Sequence, residues 1–358
     1  MPMASPPLPV GKLPPQLLVE LLQHAPGADP RVLVGPRVGC DVAVIDFGDR
    51  LLVAKSDPIT FATDAAGYYA VHVNANDVAT SGAVPRWMLA TVLLPEGSAT
   101  ERLAADLFRQ IVEACTSIGV TLVGGHTEIT YGLDRPIICG QMLGEVERCH
   151  LVTAAGAQPG DVVLVTKAVP VEGTSLIARE KGDELRRRGY REAEVERGRQ
   201  MLYDPGISVL REAQIALAAG GVHALHDPTE GGIVTGLWEL AEAGGLGLEV
   251  YPDAIPVDPL GGRLCAEFGL DPLGTIASGS LLIAAPEADA RRICEALEGA
   301  RLPCRAIGRV TGPEAGRQLV SGRPDSPVGP ADRTPDAPDA TTRELLPFAR
   351  DEIAKLFT

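Results

Sequence analysis

The stretch Ala65-Ala66-Gly67-Tyr68-Tyr69-Ala70-Val71-His72-Val73-Asn74-Ala75-Asn76-Asp77-Val78-Ala79-Thr80-Ser81-Gly82-Ala83 decides the fold. Its residues are small and helix-compatible, its apolar positions Tyr69, Val73 and Val78 recur at helical spacing, and Gly82 supplies a stop signal. Two β-branched segments precede it, Asp41 to Phe47 and Arg50 to Ala54, and the intervening Gly48-Asp49 predicts a hairpin. Beyond it the pattern predicts a strand at Trp87 to Leu94, an amphipathic helix at Ala99 to Ile118, a short buried strand at Val120 to Val123 and a longer strand at Pro136 to Val146. Hairpins mixed with helices predict an α+β, or mixed α/β, fold and argue against a pure doubly wound sheet.

The boundary is placed at Ala154-Ala155-Gly156-Ala157-Gln158-Pro159-Gly160-Asp161, before a strand at Val162 to Thr166. The expected organisation is an N-terminal unit over 1–155, a C-terminal α/β unit over 156–341 and a last amphipathic helix, Thr342 to Leu356, within 342–358. Residues 311–341, crowded with proline, glycine and aspartate, are expected to form a loop. The interleaved charges from Arg179 to Arg199 predict a solvated helix face.

With 358 residues the chain is long enough for two domains, and an apolar share of 45% supports a real core. The 47 acidic against 32 basic residues give a net charge of −15, which disfavours nucleic acid and anionic membrane as partners. Seven scattered cysteines without a CxxC pair disfavour a disulfide framework and structural zinc, and fit a reducing compartment. The N-terminal segment MPMASPPLPV lacks the charge and apolar pattern of a signal peptide, and no apolar run approaches the roughly 20 residues of a membrane span. A cytoplasmic location is the expectation.

Asp41, Asp57, Asp77 and Asp227 each stand where an apolar strand or helix meets a glycine-rich or polar turn. A single such aspartate caps a helix or closes a turn. Several converging on one place would repel one another unless a divalent cation such as Mg²⁺ neutralised them. Val123-Gly124-Gly125-His126-Thr127-Glu128 reads as a strand running into a diglycine turn whose amides can approach a phosphate, and a tight turn alone explains it equally well. His226-Asp227-Pro228-Thr229-Glu230-Gly231-Gly232 precedes a helix whose N-terminus could hold an anion. Neither GxGxxG nor GxxxxGK[ST] follows a strand, which disfavours dinucleotide-binding and P-loop folds.

Gly39-Cys40-Asp41-Val42-Ala43-Val44-Ile45, Ser56-Asp57, Asn76 to Ala83, Gly124 to Glu128, Asp227 to Gly232 and Ala277-Ser278-Gly279-Ser280, in this order, resemble the aminoimidazole ribonucleotide synthase-like superfamily. Its members include that synthase, the hydrogenase-maturation protein HypE, selenophosphate synthetase and thiamine-monophosphate kinase. The resemblance covers roughly residues 11 to 310. It implies a PurM-like two-domain subunit, paired in a homodimer through N-terminal domains whose strands close a shared barrel, with ATP and Mg²⁺ between the domains. It implies Asp41, Asp57, Asp77 and Asp227 as metal ligands, with Asp77 and Asp227 carrying catalysis, and Asn76 lining the same site. Gly124, Gly125, His126, Thr127 and Glu128 would lie beside the nucleotide, as would Lys12 if the N-terminal arm folds over it.

Within the superfamily the Asn-Asp-Val-Ala-x-Ser-Gly-Ala and Asp-Pro-Thr-x-Gly-Gly runs look most like the hydrogenase-maturation branch, whose known members use ATP to dehydrate a protein-borne thiocarboxamide. That branch carries its acceptor cysteine in a Pro-Arg-x-Cys ending. Here the sequence closes on Asp351-Glu352-Ile353-Ala354-Lys355-Leu356-Phe357-Thr358, with Cys304 its last cysteine. The expectation is therefore a HypE-like enzyme, lacking the terminal thiol, that uses ATP to activate or phosphorylate an oxygen of an amide, carboxylate or alcohol acceptor. A small-molecule kinase resembling thiamine-monophosphate kinase and a non-catalytic nucleotide-binding assembly factor are the alternatives, and a maturation protein is an expected partner.

Overall fold

A computed structural model describes residues 13, 15–22, 24, 29–37, 40–60, 64–321 and 341–357; Lys12, assigned above to a phosphate contact, lies outside them. The first unit runs α1 (Pro15–Leu22), β1 (Val32–Val34), β2 (Ala43–Asp46), β3 (Leu51–Ile59), α2 (Ala66–Thr80), β4 (Val84–Pro95), α3 (Glu101–Ser117), β5 (Thr121–Thr130) and β6 (Ile137–Val146). The second begins with β7 (Val162–Thr166), α4 (Val171–Glu180), α5 (Gly182–Arg187), α6 (Glu192–Gln200), α7 (Leu210–Ala219), β8 (Ala224–His226) and α8 (Gly232–Gly244). It continues through β9 (Gly247–Val250), α9 (Pro259–Glu267), β10 (Leu282–Ala285), α10 (Glu287–Gly299), β11 (Cys304–Thr311), β12 (Arg317–Ser321) and β13 (Thr341–Glu344).

Two sheets result, one in the order β1-β2-β3-β6-β4-β5 and the other β13-β12-β9-β11-β7-β10-β8. The pairs β4–β5 and β9–β12 are parallel, whereas their neighbours run antiparallel. This is the mixed α/β architecture that the alternation of hairpins and helices predicts. In the second sheet the strand period of two sorts side chains cleanly. Val162 and Leu164 join a core shared with α7 and α10, while Val163 and Val165 join one built against α8.

Helix α2 lies on the first sheet and is buried along nearly its whole length. It can approach this closely because β6 presents glycine beneath it: a Cβ on Gly140 would stand 2.5 Å from Asn74 Nδ2, and one on Gly144 would stand 2.4 Å from Val78 Cγ1. The expected hairpin forms between β2 and β3, with Asp46 opposite Leu51, and β3 runs on to Ile59.

Three local expectations are corrected. The diglycine of Gly124-Gly125 is no turn: β5 passes straight through it as a ten-residue edge strand, and most of its residues are exposed rather than buried. Gly125 adopts φ 150°, and a Cβ there would sit 2.0 Å from the Ala90 carbonyl oxygen, so the strand needs glycine at that position. The expected C-terminal helix is instead β13 and a 3₁₀ turn, Glu352–Phe357; threonines at 341 and 342 favour the strand, and Pro347 lacks the N–H to continue a helix between them. The loop expected over 311–341 contains β12, which pairs in parallel with β9 and antiparallel with β13, while 322–340 lie outside the described residues.

Candidate functional site

The chain's acidic junctions converge. Asp41 precedes β2, Asp57 lies in β3, Asp77 in the last turns of α2, and Asp227 follows β8. Asp41, Asp77 and Asp227 each place a carboxylate oxygen within 4.8 Å of the others. Asp57 joins them through Lys55, whose Nζ lies 2.8 Å from Asp77 Oδ2 and 3.5 Å from Asp57 Oδ2. Strand alternation places Leu51, Val53, Lys55, Asp57 and Ile59 on one face of β3, so the two charged residues interrupt an otherwise apolar row facing α2.

The charges are costly where they stand. Burial, reinforced by Asp41 and Asp57, outweighs the pull of Lys55 and raises the Asp77 carboxyl to about 7. Burial and the neighbouring Asp77 and Asp41 push Asp227 well above the ordinary carboxylate range. Burial works against the Lys55 charge, yet Asp77, Asp57 and Asp41 hold it firmly protonated. Both Asp227 oxygens are buried and have no hydrogen-bond partner. A buried carboxylate left in that state is destabilising. Carboxylate oxygens converging on a buried, unsatisfied pair suit a hard divalent cation that takes oxygen ligands, and the donor set therefore fits Mg²⁺.

A cation already in the chain borders the cluster. His226 is buried between two carboxylates, with Nδ1 3.0 Å from Asp41 Oδ2 and Nε2 3.1 Å from Glu239 Oε2. Both ring nitrogens must donate, so the ring is an imidazolium; burial opposes that charge, but Asp41 and Glu239 raise its pKa well above the ordinary histidine value. His226, Lys55 and Glu239 are site residues that the sequence reasoning missed. A lysine on the apolar face of a strand was the available signal for Lys55; no local signal marks Glu239 on α8.

Asn76 does something other than line the cluster. Its Nδ2 donates to the Ile207 carbonyl at 2.8 Å, and its Oδ1 accepts from the Val209 N–H at 2.9 Å. The residue clamps α2 to the second unit. Lys167 grips the same segment from the other side, donating to the carbonyls of Gly206 and Ser208 at 3.1 and 2.7 Å and pairing with Glu212 at 2.8 Å.

Gly124 to Glu128 are not brought to the carboxylates within one chain. Asp57 pairs with Gly140, Gly140 with Ala90 and Ala90 with Gly125, so the diglycine occupies the same row three strands away. At the usual strand spacing that is about 14 Å along the sheet. His126 and Glu128 are solvent-exposed there, 3.4 Å apart. The N-terminus of α8, a candidate anion holder, already has one: Gly231 N–H donates to Asp351 Oδ2 at 2.6 Å. A separate cleft of about 470 Å³, lined by Asp64, Tyr68, Arg109, Arg179 and Tyr203 among others, opens at the far end of α2. Tyr68 and Asp77 are nine residues apart, about 13 Å along the helix, so the cleft and the cluster are distinct.

Two family models match the sequence: the N-terminal domain of AIR synthase related proteins over residues 39–146, and their C-terminal domain over 158–319. The carbamoyl dehydratase HypE of Cupriavidus necator is 32% identical over 288 residues, covering 77% of each chain. The solved structure of hydrogenase maturation protein HypE in complex with ATP superposes with a TM-score of 0.66 at 24% identity, covering 94% of this chain and 91% of that one. The structure of AaThiL complexed with AMPPCP and TMP gives a TM-score of 0.64 at 21% identity, covering 83% of this chain and 89% of that one. Among the described residues, no helix is long and apolar enough to cross a membrane.

Proposed function

The chain belongs to the AIR synthase related family, and we propose that it is an ATP- and Mg²⁺-dependent enzyme that activates or phosphorylates an oxygen of an amide, carboxylate or alcohol acceptor. The observation that carries this is the approach of Asp41, Asp77 and Asp227 to within 4.8 Å of one another, with both Asp227 oxygens buried and unpartnered. Among the three acceptor types, the 32% identical relative named a carbamoyl dehydratase favours the amide oxygen.

Asp41, Asp57, Asp77 and Asp227 would hold the cation, with Asp77 and Asp227 the decisive pair because they are the most buried. Bound there, Mg²⁺ would supply charge neutralisation for the nucleotide phosphates. The chain's own groups arrange this. His226 fixes Asp41 and is itself fixed by Glu239. Lys55 holds Asp57 and Asp77 together. Asn76 positions α2 against the second unit.

Gly124, Gly125, His126, Thr127 and Glu128 enter this proposal through a homodimer. Among the described residues β5 pairs with a strand on one side only and exposes Val123 and Ile129, which favours closure of the edge by a second copy. In that arrangement the diglycine of one subunit would serve the nucleotide phosphates.

Calorimetry with ATP tests the core of the proposal. Binding should require Mg²⁺ and should be lost in Asp77→Asn and Asp227→Asn. Failure of the wild-type chain to bind millimolar ATP in the presence of Mg²⁺ would overturn it. Release of ADP or phosphate above background with an amide, carboxylate or alcohol acceptor distinguishes an enzyme from a nucleotide-binding assembly factor.

A further inference from the structure

A second group of side chains, remote in chemistry from the carboxylate cluster, has the make-up of a ligand set. The connection leaving β6 begins Glu147-Arg148-Cys149-His150 and winds into a short 3₁₀ helix, Arg148–His150. The His150 N–H donates to the Glu147 carbonyl at 2.9 Å. That winding brings a Glu147 carboxylate oxygen, the Cys149 sulfur and a His150 ring nitrogen within 4.8 Å of one another. His150 Nδ1 lies 3.6 Å from Glu147 Oε2.

The side chains are exposed, but the backbone beneath them is fixed. Val152 N–H donates to the Ser81 carbonyl at 3.0 Å. Gly82 packs against the same turn so tightly that a Cβ there would stand 2.4 Å from the His150 carbonyl oxygen. Arg148, the residue of the turn that would oppose a cation, is turned onto Asp46. Arg50 Nη2 lies 3.8 Å from Glu147 Oε1, a loose, solvent-exposed pair that a bound cation can displace at little cost.

We propose that Glu147, Cys149 and His150 form a site for one borderline-soft divalent cation, Zn²⁺ by chemistry, with water as the fourth ligand. Zinc takes nitrogen, sulfur and oxygen donors at about 2.0–2.3 Å in a tetrahedron, which sets donor atoms about 3.5 Å apart. The three donors already lie within 4.8 Å of one another, so they need close by no more than about 1.3 Å to reach that spacing. On binding, the Cys149 thiol gives its proton to solvent, and the imidazole coordinates through a neutral nitrogen. Donor type then sorts two cations on one chain: the all-carboxylate cluster takes a hard ion, and the thiolate-imidazole turn takes a softer one.

The test is titration of the chelator-treated full chain with Co²⁺. One equivalent should produce the near-ultraviolet absorption of a thiolate-to-cobalt bond together with the intense visible bands of a tetrahedral ion, and Zn²⁺ should abolish both. Cys149→Ser should lose the thiolate band, and His150→Ala should weaken binding by more than about tenfold. Cys294→Ser is the control, because Cys294 and Cys304 place two sulfurs 2.8 Å apart elsewhere on the chain, and it should retain the band. Absence of a thiolate band at one equivalent in the parent, or its survival in Cys149→Ser, would overturn the proposal.

Discussion

Asn76 offers the sharpest prediction, because the role implied by family resemblance and the contacts of its side chain give opposite signs for one substitution. Its side chain is fully buried, and both its polar ends are taken up by the backbone of residues 207–209. Asn76→Ala leaves the Ile207 carbonyl and the Val209 N–H unpaired in the interior. Each such group costs about 1–3 kcal/mol, so the substitution should cost about 2–6 kcal/mol. Asn76→Asp keeps nearly the same shape and the acceptor for Val209, but replaces the donor with an oxygen facing the Ile207 carbonyl. It also adds a negative charge one residue from Asp77, beside a cluster whose carboxylates already repel one another. Asn76→Asp should therefore be at least as destabilising as Asn76→Ala. Urea unfolding of the full chain, with and without Mg²⁺, measures this. If Asn76 were a ligand, a carboxylate in its place would strengthen the site and raise the midpoint in Mg²⁺. An Asn76→Asp variant as stable as the parent, or one that gains more from Mg²⁺ than the parent does, would refute the clamp.

Three further outcomes are expected. Asp227→Asn removes a buried carboxylate with no hydrogen-bond partner, so without Mg²⁺ it should raise the unfolding midpoint by the equivalent of about 1–3 kcal/mol while losing the response to Mg²⁺; equal stability to the parent would show that the charge is compensated. Gly140→Ala places a Cβ 2.5 Å from Asn74 Nδ2 and 3.1 Å from the Ala70 carbonyl oxygen, and should cost about 1–3 kcal/mol by lifting α2 from its sheet; an unchanged midpoint would mean that the helix sits less firmly than its contacts indicate. Burial raises the Glu172 carboxyl to about 8, so its neutral form belongs to the folded state: its contribution is complete below the ordinary value near 4.5 and is lost as pH rises through about 8. Glu172→Gln should flatten the fall in stability between those limits, and a pH profile parallel to the parent's would exclude Glu172 as its source.

Much of the first unit was legible in the sequence because its signals are local. The Gly48-Asp49 hairpin, the small-residue helix over Asn76 and the mixed alternation of elements each follow from spacing or turn chemistry within a dozen residues. The aspartates also declared themselves by position, at the ends of strands and helices. Their convergence did not, since Asp41 and Asp227 are separated by just over half the sequence and meet only because the two units dock. His226 and Glu239 were hidden for the same reason: a histidine ending a strand and a glutamate on a helix are ordinary until one is seen to bridge the other to Asp41. Asn76 drew attention through its neighbour, yet its amide serves the backbone of the opposite unit. The diglycine in β5 misled because glycine pairs mark turns far more often than they mark an edge strand pressed against its neighbour's carbonyl. Thr342 to Leu356 carries a helical spacing of apolar residues, and there Pro347 and the waiting edge of β12 outweighed periodicity.

The divided origin of the carboxylates has a thermodynamic corollary. Asp41, Asp57 and Asp77 belong to the unit of the first sheet, whereas Asp227 hangs from the second. An ion gripped by all four would act as a latch between the halves, binding the docked arrangement and not a parted one. By mass action a ligand present at a hundred times its dissociation constant adds about 2.7 kcal/mol to the state it recognises. Without an ion the same residues work the other way, because burial, with Asp77 and Asp41 beside it, disfavours the Asp227 charge. Divalent-ion concentration would thus set how tightly the two halves are held, with the Asn76 and Lys167 grips keeping them in register while the latch is open.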